Sequence, residues 1–149
     1  MKVFKTNSKN ISIKGQENKE ITRFSLFMFE EKIRSYFYFG DESNIQPSSI
    51  VKMMVKTQSG SIYTIEKCGK EYVFKGSNCD SRKVKNVAIV TNPVRSKEDF
   101  KLSTNVSNAR LYVCFGTDWI TTSILKDVVI NTSNGTFYGM AHLQEYKVV

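Results

Sequence analysis

Arg34-Ser-Tyr36-Phe-Tyr-Phe39-Gly40 returns as Arg110-Leu-Tyr112-Val-Cys-Phe115-Gly116, and the residues around each copy follow suit. Upstream, Lys9-Asn-Ile-Ser-Ile13 answers Lys85-Asn-Val-Ala-Ile89, and Phe24-Ser-Leu26 answers Phe100-Lys-Leu102. Downstream, Ser49-Ile-Val-Lys52 aligns with Ser123-Ile-Leu-Lys126, Gly60-Ser-Ile-Tyr63 with Gly135-Thr-Phe-Tyr138, and Glu71-Tyr72 with Glu145-Tyr146. Self-similarity at a fixed period is the mark of a repeated structural unit. The pattern predicts a tandem duplication, with a first β repeat over residues 1–75 and a second over 76–149. Units of about 75 residues bury little core alone, so the two are expected to pack together. The polar connection Lys75-Gly-Ser-Asn78 is too short for a free linker.

Local patterning predicts strands. Val51 to Thr57 and Ser61 to Ile65 flank a short polar tract ending in Gly60, the arrangement of a hairpin. Leu125 to Ile130 and Thr136 to Met140 repeat it around Asn134-Gly135, a pair that tolerates the positive φ angles of tight turns. Further strands are predicted at 9–14, 21–28, 33–39 and 71–75, with counterparts at 85–91, 99–104, 109–115 and 144–148. The fold class is therefore all-β: two tandem, internally duplicated antiparallel β units packed together. The stretch Phe24 to Ile33 also fits a helical spacing, which leaves room for a helical turn over Glu30 to Ile33.

The chain has 149 residues and a net charge of +8, with 12 basic against 8 acidic residues in 1–74 and 10 against 6 afterwards. A surplus shared by both halves belongs to the whole surface and suits polyanions or acidic partners. Met1-Lys-Val-Phe-Lys5 leads into polar sequence rather than an apolar leader, and no stretch approaches a bilayer span, so a cytoplasmic protein with no membrane contact is expected. Three unevenly spaced cysteines, Cys68, Cys79 and Cys114, fit reduced thiols better than a disulfide frame.

Strand alternation gives the repeated motif its meaning. Leu111, Val113 and Phe115 share one face, which reads as core, and Arg110, Tyr112 and Cys114 share the other. Arg34 and Tyr36 hold the same relation beside Tyr38. A guanidinium two residues from a phenol ring can grip a phosphate and stack a flat base, although Arg can equally lay its stem over Tyr on a solvated sheet. Arg34, Tyr36, Arg110 and Tyr112 are the candidate ligand contacts, with Lys52 and Lys126 as a second repeated cationic position. Arg82, Lys83 and Lys85, near the junction, are candidate anion contacts.

Catalytic patterns are weak. His142 is the one histidine and has no counterpart, which leaves paired-histidine metal chemistry unsupported. Asp41-Glu42 and Asp118 follow the repeated Phe-Gly and read first as turn formers. No phosphate-cradling loop is present, and no cofactor or metal is implied.

The segment Ser48-Ser-Ile50 with Thr57-Gln-Ser-Gly-Ser-Ile-Tyr63 resembles a motif of small all-β proteins of bacteriophages and mobile elements. That resemblance covers the hairpin alone, implies a host-defence inhibitor or a nucleotide sponge, and carries over no ligand residue. The sequence points to a non-enzymatic binding protein with a basic, aromatic-bearing surface for a nucleotide signal or a nucleic acid. A module that docks on and inhibits a host protein is the alternative, and a nucleotide-acting enzyme the third. Oligomeric state is not legible.

Overall fold

The computed structural model describes residues 2–6, 17–39, 44–47, 49–77, 81–90 and 109–141. Among them there is no helix, and the order is β1 (Lys2–Thr6), β2 (Glu17–Phe29), β3 (Lys32–Phe39), β4 (Asn44–Ile45), β5 (Ile50–Thr57), β6 (Ile62–Cys68) and β7 (Glu71–Gly76). It continues through β8 (Arg82–Lys83), β9 (Asn86–Val90), β10 (Arg110–Cys114), β11 (Trp119–Thr121), β12 (Leu125–Thr132) and β13 (Phe137–Ala141). Two six-stranded antiparallel sheets pack face to face. Sheet A runs β1-β13-β12-β5-β6-β7 and sheet B runs β4-β3-β2-β9-β10-β11. The start of β2 pairs β1, so that flank of sheet A runs on into sheet B, and at the other flank β8 pairs β7.

Alternation of burial explains why these segments settle as strands. Met53, Val55 and Thr57 of β5 point inward while Met54 and Lys56 face water, and in β12 Val128, Ile130 and Thr132 point inward. Phe24 and Leu26 of β2, Ile33 and Phe37 of β3, Val87 and Ile89 of β9, and Leu111 and Val113 of β10 supply the opposite side of one core. Each such side chain is worth about 1.5–3 kcal/mol of transfer free energy. Phe37 joins the layers, its ring 5.4 Å from Phe24 and 5.7 Å from Tyr138 of sheet A.

The two predicted glycine hairpins are present with matching loops. Thr57 N–H donates to Ser61 O (2.9 Å) and Gly60 N–H to Thr57 O (3.0 Å); Thr132 and Gly135 make the corresponding bonds at 3.1 Å each. Gly60 and Gly135 have φ of 94° and 84°, which favour a residue without Cβ. Each loop also reaches across the sheet: Gln58 N–H donates to Ile124 O (2.8 Å) and Ser133 N–H to Ser49 O (2.9 Å). Met54 pairs Val129 at the centre of sheet A and Leu26 pairs Ile89 at the centre of sheet B.

The predicted strands at 21–28, 33–39, 71–75, 85–91 and 109–115 correspond to β2, β3, β7, β9 and β10. Those at 9–14, 99–104 and 144–148 lie outside the described residues, as do Cys79 and His142. Glu30 and Glu31 do not form a helical turn. Both have positive φ (51° and 64°) and make the two-residue hairpin turn between β2 and β3. The boundary after Lys75 falls at the end of β7, which pairs β8, and both sheets draw strands from each half of the chain. No helix among the described residues is long and apolar enough to cross a membrane.

Tyr72 closes the core beneath β5. Its hydroxyl donates to Ile50 O at 2.8 Å, and burial pushes the phenol above its ordinary value. Below about pH 10 the phenol is neutral whether the chain is folded or not, so this group leaves stability flat. Above that, the unfolded chain ionises first and stability falls. Tyr72→Phe is expected to cost about 1 kcal/mol at neutral pH and to flatten the alkaline decline, as read from urea midpoints between pH 7 and 11. An unchanged alkaline slope would show that another group causes it.

Candidate functional site: the outer face of sheet B

Paired residues in a sheet share a face. Arg34 pairs Phe27, Phe27 pairs Ala88, Ala88 pairs Tyr112, and Tyr112 pairs Thr121, so one outward row crosses β3, β2, β9, β10 and β11. Tyr36 stands over Ser25 in the next row, and Arg110 pairs Val90. The inward neighbours Ile33, Phe37, Leu111 and Val113 are buried, which fixes this register because a slip of one residue would turn the apolar set to water. The two arginine-tyrosine pairs therefore stand on one open sheet face.

Aromatic rings extend the arrangement. Phe27 and Tyr36 stack at 5.9 Å with 15° between planes, and Tyr36 and Tyr38 at 6.3 Å with 20°. The Arg34 guanidinium lies over the Phe29 ring, 5.5 Å from its centroid, and its Nε is buried with no hydrogen-bond partner. Arg110 Nη1 donates to Thr122 O at 3.1 Å, and Gln46 Nε2 donates to the Tyr36 hydroxyl at 3.3 Å. Phe27, Phe29 and Trp119 are 37%, 53% and 61% exposed. No outward position of β3, β9, β10 or β11, nor of β2 from Ser25 to Phe29, carries a carboxylate, while Lys32 adds a third cation.

Sheet A presents a different outer surface. Lys52 stands across from Glu66, and Lys56 across from Asp127, the cross-strand pairing of opposite charges found on solvated sheets. Lys126 is exposed where the register shifts between Leu125 and Asp127, so it does not repeat the position of Lys52. Both lysines belong to this far side, with sheets about 10 Å apart between them and the arginine-tyrosine face.

The junction cations have protein partners or none in common. Arg82 lies over the Phe115 ring at 4.0 Å and pairs with Asp118 at 3.0 Å, and Lys83 pairs with Glu71 at 3.2 Å. Lys85 is exposed, its backbone N–H bound to Cys114 O. Asp118 thus serves Arg82 at its turn. Cys68 and Cys114 are free thiols, Cys114 buried at the edge of the face.

Sequence reasoning missed Phe27, Phe29 and Trp119. The signal was present in Phe24-Ser-Leu-Phe-Met-Phe29, where large apolar residues occupy both parities of a strand; only one parity can enter the core, so the other must be displayed. No protein-family model matches the chain, and no curated protein or solved structure matches it.

Proposed function

We propose that the protein is a non-enzymatic binding protein whose outer sheet B face takes a phosphate-containing ligand with planar rings, a nucleotide or a nucleic acid. One observation carries this reading: Arg34, Tyr36, Arg110 and Tyr112 share a face that displays cations and aromatic rings and no carboxylate on its strands. Guanidinium groups match phosphate oxygens, and exposed rings stack on bases whatever their identity. The matching registers of the two hairpins support reading the two motifs as copies of one ancestral strand. A host-defence antagonist that sequesters a nucleotide signal is one use of such a face.

Docking on a host protein through a strand edge of sheet B is less favoured. As described, sheet B ends in β4, with two residues, and β11, with three, which offer little backbone for a partner strand.

Trp119, the one tryptophan of the chain, stands on the proposed face and reports on it. Titration with a panel of nucleotides and with polyuridylate is expected to shift its emission. Arg34→Ala with Arg110→Ala should abolish the shift while circular dichroism stays unchanged. Binding that survives both substitutions rejects this site.

A further inference from the structure

Resting on that reading, we infer that the ligand is single-stranded nucleic acid laid across the strands of sheet B, its bases stacked on Phe27 and Tyr112, with Tyr36 backing the Phe27 ring. The first reason is shape. The face spans six strands, about 24 Å, and a lone nucleotide is held better by a concave site that covers most of its surface. The second is spacing. Each arginine-tyrosine pair has room for one base and its phosphate, but Arg34 and Tyr112 sit in one cross-strand row with two strands between them, so the two pairs stand about 14 Å apart, too far for one nucleotide to reach both.

The third reason is the rings. Phe27, Tyr36 and Tyr38 form a ladder at 5.9 and 6.3 Å on one side, and Tyr112 stands on the other, so the stacking positions are several and separated. Flat rings on a sheet reach only bases that are already unstacked, which a duplex does not offer. Charge complements the choice: the face carries Lys32, Arg34 and Arg110, whereas sheet A alternates its signs.

The test is fluorescence anisotropy of the full chain with dye-labelled oligothymidylates of about 2 to 12 nucleotides, in about 50 mM salt. Affinity is expected to climb to about four or five nucleotides and then level, with a duplex of the longest length about tenfold weaker or more. Tyr36→Ala and Tyr112→Ala should each weaken binding by about tenfold, Tyr112→Phe should restore it, and Lys56→Gln on sheet A should change nothing. A mononucleotide or dinucleotide binding as tightly as the longest oligomer overturns the single-strand inference and leaves the broader phosphate-ligand reading standing. Equal affinity for duplex overturns the stacking role. Binding to no nucleotide or oligomer overturns both readings, and a sedimenting dimer lost on Phe29→Ser assigns the face to a second copy of the chain.

Discussion

Phe37→Ala is expected to lower stability by about 3–5 kcal/mol. Phe37 has 0% exposure and stands between Phe24 of its own sheet and Tyr138 of the other, so truncation leaves a cavity at the layer joint rather than at an edge. On one side β2 is held in turn by β9, which limits how far the sheet can collapse into the space. A domain of this size has about 5–15 kcal/mol in total, so the variant should melt about 10–20 °C lower and be partly unfolded in mild urea. Phe29→Ala is the informative comparison. Phe29 is 53% exposed, and its loss should cost under about 0.5 kcal/mol. If the two substitutions cost the same, the assignment of inward and outward faces is wrong.

The second large effect concerns binding. Arg34→Ala combined with Arg110→Ala should weaken a single-stranded oligomer by about a hundredfold or more at low salt, since each charge-assisted contact is worth about 1.5–3 kcal/mol. Each phosphate contact also releases counterions, so the plot of log affinity against log salt should become shallower by about 1.4 when both are removed. Arg110 also donates to Thr122 O, which makes the unfolding midpoint a necessary companion measurement. Weaker binding with an unchanged salt slope would mean that the arginines support the sheet and do not touch phosphate.

Much of the local structure was legible because alternation is a strict two-residue rule. Leu111 and Val113 could be assigned inward, and Arg110 and Tyr112 outward, from spacing alone, as the structure finds. The β5–β6 and β12–β13 hairpins were legible because glycine at a positive φ marks the turn. Glu30-Glu31 hid its turn, since glutamate favours helices and rarely takes the left-handed region. Long-range pairing was not legible: nothing in Ile50–Thr57 names Leu125–Thr132 as its neighbour. Lys52 and Lys126 show the same limit, for a one-residue difference in alignment places one in a paired row and the other at an irregularity. Nor could the sequence say that both arginine-tyrosine pairs lie on one side, because that depends on β2 and β9 meeting between them.

The pairing of Lys2 with Ala141 has a kinetic consequence. During synthesis β1 can pair β2 early, but its other flank stays open until β13 has left the ribosome, and sheet A cannot close before then. Contacts so distant along the chain slow folding, toward the millisecond-to-second range typical of β-rich domains. The nascent chain therefore spends most of its translation with a strand awaiting its last neighbour, which is when a chaperone would matter most.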